Sequence, residues 1–198
     1  MNSYVTPKDV KAEELFREKC SQLLIPDRIW LETAHVVSLF LPKKTLSNIF
    51  YAIKLNDNDI HKYKALCCWL NSTFGLLLVL SNRQETRGVW LRLKLSHWRL
   101  QDVLDVSKLD VIKLRKLSAM LDKYKEKEFK RLPLQYDDID EIRLSFDLEI
   151  LKILEIDIEK EMLIELYKLI SLSFEKWFTT KRNVNRKIIK NLPNSKVC

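Results

Sequence analysis

The sequence predicts an α+β fold in which a small mixed β-sheet packs on a buried helix and a helical C-terminal half follows. Three patterns carry this prediction. Residues 89–95 alternate apolar and polar side chains with the period of two that is typical of a strand. Residues 65–80 form the most apolar run of the chain and read as a buried helix. Residues 107–130 carry apolar side chains at helical spacing above a basic polar face.

The other elements are predicted from shorter patterns and from the residues that interrupt them. We expect a first helix over residues 8–22, one or two strands over 28–41, a strand over 47–55 and a helix from about 59 to 81. After a Pro-containing acidic link at 133–141, two helices are expected at about 145–154 and 159–178. The predicted organisation is an α+β domain over 1–104, a helical region over 105–178 and a basic, partly disordered tail over 179–198.

The charge balance favours an anionic partner. The 198 residues carry a formal net charge of +8, and the charge is unevenly distributed. Residues 107–131 hold nine basic and four acidic side chains, whereas residues 137–165 hold three basic and eleven acidic ones. The chain has only 2 glycines, too few for the Gly-rich loops that cradle phosphates or hold S-adenosylmethionine. We therefore expect no cofactor in this chain.

Neither a metal site nor a membrane span is predicted. The four cysteines form no C-x-x-C pair, and the three histidines lie at no ligand spacing, so we expect buried thiols in a reducing cytoplasm. No partner histidine accompanies the acidic residues Asp137, Asp138 and Asp140, so we expect their carboxylates to be solvated. The apolar run at 65–80 is shorter than the roughly 20 residues that cross a bilayer. We expect a cytoplasmic protein without a membrane partner.

The segment 69–94 holds the residues that are best suited to bind DNA. Arginine matches guanine edges and glutamine matches adenine edges in the major groove, while phosphates accept hydrogen bonds from either side chain. The DNA-contacting candidates here are Arg83, Gln84, Arg87, Trp90, Arg92 and Lys94, and a smaller candidate group is Lys43, Lys44 and Asn48. Trp90 and Trp98 either stack on bases or cover an open sheet face.

Three polar residues interrupt the apolar run of this segment. Asn71, Ser72 and Thr73 either bond to nearby loop backbone and fix the helix, or form part of a scaffold that presents the arginines to DNA. Charges on the basic helix, such as Lys113 and Lys123, either track a DNA backbone or pair with the acidic helices that follow.

Two stretches of this segment are distinctive in combination: WLNSTFGLLLVL at 69–80 and R-x-E-T-R-G-x-W-L-R-L-K at 83–94. In them the sequence resembles the C-terminal region of adenine-specific DNA methyltransferases of restriction–modification and phage-defence systems. Further similar stretches are residues 25–55, 104–109, 137–154 and 165–170, so that the likeness covers roughly residues 23–178. One departure is Glu155, which stands where the family's closing helix usually ends in glycine.

This resemblance implies a target-recognition function without methyl transfer. The family binds S-adenosylmethionine with a Gly-rich turn and holds the flipped adenine with an Asn/Asp-Pro-Pro-aromatic motif. This sequence has neither, so a separate catalytic methyltransferase domain or subunit is expected to supply both, and we expect no catalytic residue here. Two alternatives stay open: a single-stranded nucleic-acid or RNA-binding protein, and a non-enzymatic protein-interaction module with a basic surface.

Overall fold

The structure, a computed structural model, describes residues 10–81, 84–85 and 90–190, with side chains for 13–14, 16–81 and 91–179. The helices are α1 (Val10–Lys19), α2 (Ile60–Leu70), α3 (Thr73–Ser81), α4 (Leu95–Arg99), α5 (Val111–Tyr124), α6 (Leu134–Asp137), α7 (Glu141–Leu154) and α8 (Lys160–Lys190). The strands are β1 (Ser21–Pro26), β2 (Arg28–Trp30), β3 (Leu39–Thr45), β4 (Phe50–Ile53), β5 (Gln84–Glu85) and β6 (Trp90–Arg92).

The predicted α+β class with a helical C-terminal half is confirmed, but the strands form two small sheets. The first sheet has the order β3-β1-β4 and the second has the order β2-β6-β5. Every strand pair is antiparallel, so neither sheet mixes parallel and antiparallel strands. The prediction of one mixed sheet is therefore wrong in the number of sheets and in the direction of their strands.

The two sheets are joined at Asp27, which lies between β1 and β2. The backbone N–H of Asp27 donates to the carbonyl of Ile49 at the edge of the first sheet, at 3.1 Å. The carbonyl of Asp27 accepts from the N–H of Leu93, which follows β6 in the second sheet, at 2.8 Å. The chain thus passes from one sheet to the other through a single residue, whose backbone is hydrogen-bonded next to both sheets.

Strand β1 corrects the prediction that a helix continues from residue 8 to residue 22. Helix α1 ends at Lys19, and Ser21–Pro26 is the central strand of the first sheet. Five of its six residues are buried, because β3 and β4 cover both of its edges and helix α2 packs against it. Burial on both faces removes the alternation that identifies a strand, which explains why this strand was not predicted.

The predicted long helix at 59–81 is broken into α2 and α3, whose axes differ by 70°. The break lies at Asn71 and Ser72. The Asn71 side chain binds the backbone of the segment before β3. Its Oδ1 accepts hydrogen bonds from Val37 N at 2.9 Å and from Ser38 N at 2.7 Å, and its Nδ2 donates one to Ser38 O at 3.0 Å. At Gly75 a Cβ atom would lie 2.3 Å from the Leu70 carbonyl oxygen, so the tight bend requires glycine there.

Two hydrophobic cores lie on either side of this bend. One core contains Leu23, Leu66, Leu117 and Ile150, among other residues of β1, α2, α5 and α7. The other contains Ile29, Leu76, Leu91 and Tyr167, from β2, α3, β6 and α8, among others. Both cores combine residues from before and after residue 104, so the two predicted domains share their interior.

A buried ion pair between Arg143 and Asp147 of α7 connects helix α7 to the bend. The guanidinium Nη1 donates to the carbonyl of Asn71 at 2.6 Å and lies 3.7 Å from Asp147 Oδ1. Asp147 also accepts from the backbone N–H of Thr73 at 3.0 Å and from the Thr73 hydroxyl. Tyr167 of α8 donates to the same carboxylate at 2.5 Å. Every partner is buried, so each of these bonds replaces a bond to water that was lost on folding.

The acidic helix α7 pairs with the basic helix α5. Lys113 lies 2.6 Å from Glu155, and Lys123 lies 2.7 Å from Glu149. These pairs favour the interpretation that some basic side chains of residues 107–131 form ion pairs with the acidic helix that follows. Glu155 ends α7 with a left-handed φ of 58°, a conformation that glycine adopts most easily at the end of a helix.

The last helix extends beyond its predicted end. We expected helix α8 to stop at about residue 178, but its backbone is helical to Lys190. Residues 191–198 of the predicted disordered tail lie outside the described residues.

Arg143→Ala is expected to lower the free energy of unfolding by about 3–5 kcal/mol, because it leaves Asp147 buried and without its cation. Urea unfolding followed by far-UV circular dichroism measures this change. Arg115→Ala, at an exposed position of α5, is the control and should change stability by less than about 0.5 kcal/mol. Equal stability of the two variants would contradict the role given to the ion pair.

Stability is expected to fall as the pH rises above about 9. Burial raises the pKa of the Cys67 thiol from 9.0 to about 12 and the pKa of Tyr136 from 10.0 to about 12. The unfolded chain therefore loses these protons at a lower pH than the folded protein. Between its unfolded and folded pKa values, each group lowers the free energy of unfolding by about 1.4 kcal/mol per pH unit. The contribution of the two groups to stability is complete below pH 9 and is lost toward pH 12.

Cys67→Ser is the matched variant for this titration, because a serine hydroxyl can keep the contacts of Cys67 with Ser38 and Asn71 and does not titrate in this range. Urea unfolding of both proteins at several pH values should give a shallower loss of stability in the variant between pH 9 and 10. Identical pH dependence of the two proteins would show that Cys67 does not contribute.

Candidate nucleic-acid interface

The second sheet exposes a row of basic and aromatic side chains on one face. In β2 and from β6 into the residues after it, buried and exposed residues alternate: Ile29, Leu91 and Leu93 point inward, while Arg28, Trp30, Arg92 and Lys94 are exposed. We call these four exposed residues the basic face. The alternation places all four on the same side of the sheet.

The strand register brings the two arginines of the basic face together. Arg28 of β2 lies directly opposite Arg92 of β6, and Trp30 lies opposite Trp90. Side chains of directly opposed residues in an antiparallel pair have Cβ atoms about 4.5–5.5 Å apart. Two guanidinium groups are therefore held side by side at the surface.

Few negative charges balance this face. Arg28 lies 3.6 Å from the carboxylate of its neighbour Asp27, and its side chain stays 57% exposed. Arg92 and Lys94 form no ion pair with the residues that the structure describes. Like charges opposite each other on a sheet are destabilising, so the arrangement favours an external anion between or above them.

The inner side of the sheet makes this face a rigid platform. Ile29, Leu91 and Leu93 are at most 3% exposed and pack with Val79 of α3 and Leu163 of α8 in the second core. Since these inward residues alternate with the basic ones, the packing fixes the backbone from which the exposed side chains project. Binding residues on such a scaffold lose little backbone freedom when a ligand arrives.

Residues 82–88 are polar and predict a loop, but Gln84–Glu85 within them forms strand β5, and the other residues of this segment lie outside the described part of the chain. This applies to Arg83 and Arg87, and the structure describes only the backbone of Gln84 and Trp90. Gln84 of β5 is opposite Arg92 in the register. Residues 86–89 join β5 to β6, so Arg87 belongs to the connection between the two strands that border the basic face.

The predicted group of Lys43, Lys44 and Asn48 is divided between two ends of the first sheet. Lys43 and Lys44 are exposed near the end of β3, where Thr45 is paired with Ser21 at the start of β1. Asn48 is exposed next to Ile49, whose carbonyl accepts from Asp27 at the other end of β1. Only Asn48 therefore lies beside the junction that leads to the basic face.

Sequence reasoning missed Arg28 and Trp30. Both belong to Arg-Ile-Trp, a short run with the same polar–apolar alternation as Trp90-Leu91-Arg92, and this alternation could have identified them. The predicted alternation extended to Leu95, but α4 begins at this residue and Leu95 is exposed. Trp98 of α4 packs against both cores, which favours its covering role over base stacking.

A second concave region is a cleft of about 570 Å³ beside the bend at Asn71. Its lining includes Phe40, Phe129, Asn71 and Arg143. Asn71 uses its amide on Val37 and Ser38, and Arg143 donates to Gln135 and Asn71 within the fold. The buried polar groups of Asn71 and Arg143 therefore serve the structure at this cleft.

The described part of the chain contains no group of three or more His, Cys, Asp or Glu side chains arranged to hold a metal ion. Asp140, from the acidic link, accepts from Arg143 N at 2.9 Å and begins α7 as its N-cap. No single described helix is long and apolar enough to cross a membrane, although the bent pair of α2 and α3 passes this test jointly.

Comparison with protein-family models, with curated proteins and with solved structures found no match.

Proposed function

We propose that this protein binds double-stranded DNA through the basic face of its second sheet. The observation that carries the proposal is the pairing of Arg28 with Arg92 on an exposed sheet, where Asp27 is the one carboxylate among the described side chains that forms an ion pair with either arginine. Arginine donates two parallel hydrogen bonds to phosphate or to a guanine edge, and few other protein groups fit these ligands as well. The net charge of +8 supports an anionic partner.

The shape of the second sheet suits a DNA groove. Short antiparallel strands fit the major groove, where their outward side chains reach base edges. The basic face lies on β2, on β6 and on Lys94 beyond it, and residues 86–89, which include Arg87, connect β5 to β6 in the sequence. In the proposed complex Arg28, Arg92 and Lys94 neutralise phosphates, and residues of the segment 82–88 contact bases.

The biological role that we propose is target recognition for an adenine-specific DNA methyltransferase of a restriction–modification or phage-defence system. This step rests on the resemblance of residues 69–94 to that family. The chain itself carries no Gly-rich cofactor turn and no Asn-Pro-Pro-aromatic motif, so S-adenosylmethionine and catalysis would belong to a partner domain or subunit.

One observation favours a second function, the binding of single-stranded nucleic acid. Trp30 is 39% exposed on the basic face and lies opposite Trp90 in the register. Exposed aromatic rings beside cations are typical of surfaces on which unpaired bases stack. The two functions differ in which side chain contributes most to binding, so they can be separated by mutation.

Arg28→Glu and Arg92→Glu are each expected to weaken duplex DNA binding by about 10-fold at moderate salt, because each removes a cation at the interface and adds an anion. Fluorescence anisotropy of a labelled duplex over a range of salt concentrations measures both the affinity and its salt dependence. The magnitude of the slope of log K against log[salt] should decrease by about one for each arginine lost.

Arg115→Glu is the control for these charge reversals. Arg115 is exposed on α5, and its substitution changes the net charge by the same amount. Equal weakening by all three variants would show that only net charge matters and would contradict a specific role for the basic face.

Trp30→Ala is expected to leave duplex affinity within about 3-fold of the wild-type value if phosphate contacts dominate. The single-stranded interpretation instead predicts that the unmodified protein prefers single strands and that this substitution removes about 1–3 kcal/mol of binding free energy. Competition between a duplex and its separated strand, measured with both proteins, distinguishes the two functions.

A further inference from the structure

Helix α8 presents two rows of regularly spaced side chains, and only one of them packs in the core. The buried row is Leu163, Tyr167, Ile170 and Phe174, with Trp177 following in partly buried form. A second row, which we call the exposed seam, consists of Met162, Glu165, Leu169, Leu172 and Lys176. Its members follow one another at alternating steps of three and four residues, which is the spacing of a helix that packs along another helix.

The apolar members of the exposed seam have no cover within the described fold. Met162 is 59% exposed, and Leu169 and Leu172 are each 61% exposed. Leu169 also borders an apolar cleft of about 320 Å³, where Leu77 and Leu80 of α3 form the opposite wall. Leu169 and Leu172 occupy successive seam positions, and together with the adjoining cleft they form an apolar surface, which is typical of an interaction site.

The order of charges along the exposed seam indicates what covers it. Glu165 lies before the two leucines and Lys176 lies after them. In a parallel pair of α8 helices, each Glu165 would meet the other Glu165 and each Lys176 the other Lys176, which is unfavourable. In an antiparallel pair that is centred between Leu169 and Leu172, Leu169 faces Leu172, and Glu165 faces Lys176.

The sequence of the helix has the same overall polarity. Residues 159–165 hold three acidic side chains and one basic one, whereas residues 176–190 hold six basic side chains and no acidic one. An antiparallel copy therefore brings the acidic end of one helix toward the basic end of the other. The surface is complementary to itself, which is the property that an interface with two-fold symmetry requires.

We propose that the protein forms a symmetric homodimer in which the exposed seams of two α8 helices pair in antiparallel orientation. The contact buries the two Leu169–Leu172 pairs at its centre and places a Glu165–Lys176 pair on each side. The interface is small, so a dissociation constant in the micromolar range is expected. The proposal uses no residue of the basic face and stands or falls independently of DNA binding.

Sedimentation equilibrium of the full chain between about 1 and 200 µM tests this proposal, because dimerisation depends on concentration. The average mass should rise from 23.6 kDa toward twice that value. Leu169→Glu and Leu172→Glu should each remain monomeric at concentrations where the unmodified protein is dimeric. The matched control is Leu100→Glu, since Leu100 is 84% exposed outside the seam, and it should dimerise normally.

Charge exchange tests the orientation of the helices. Glu165→Lys and Lys176→Glu should each weaken dimerisation by about 10-fold, because each replaces two attractive contacts by two repulsive ones. The double variant restores opposite charges across an antiparallel seam and should return the dissociation constant to within about 3-fold of the original value. A monomer at every concentration, a dimer unaffected by Leu169→Glu, or a double variant as weak as the single ones would overturn the proposal.

Discussion

The fold depends on the pairing of buried polar groups at the bend between α2 and α3. Three separate parts of the chain meet there: the segment before β3 through Ser38, the bend through Asn71 and Thr73, and α7 through Arg143 and Asp147. An unpaired charge in this place would cost several kcal/mol, so Arg143 and Asp147 depend on each other and on the bend. The polar groups join the three parts of the chain, while the two cores supply most of the stabilisation.

The position of the basic face follows from this bend. The turn at Asn71 directs α3 away from α2, so that α3 packs with the second sheet in a separate core. Strand β2 is fixed at one end by Asp27, which continues from the first sheet, and on its inner side by Ile29. Because its inner side is fully used, this sheet has only its outer face available for a ligand. Backbone pairing places Arg28 and Arg92 there, and both side chains are exposed to solvent.

The sequence patterns predicted the α+β class and most of the helices, because their apolar spacing is regular and their polar faces are exposed. They failed where burial or tertiary contacts override local patterns. Strand β1 is buried on both faces and lacks alternation, and the break at Asn71 depends on bonds to Val37 and Ser38, more than 30 residues away. Of the predicted interface, Arg92 and Lys94 lie on the basic face, while Arg28 and Trp30 were overlooked because their strand has only three residues. The register that brings Arg28 to Arg92 is a long-range pairing that no local pattern contains.

Hydrogen–deuterium exchange with and without duplex DNA is the most direct test of the proposal that the second sheet binds DNA. DNA contact on the basic face should slow exchange in peptides that contain residues 28–30 and 90–94, while peptides of α5 and α7 keep their exchange rates. Protection confined to α5 or α8, with unchanged exchange in the second sheet, would contradict the account.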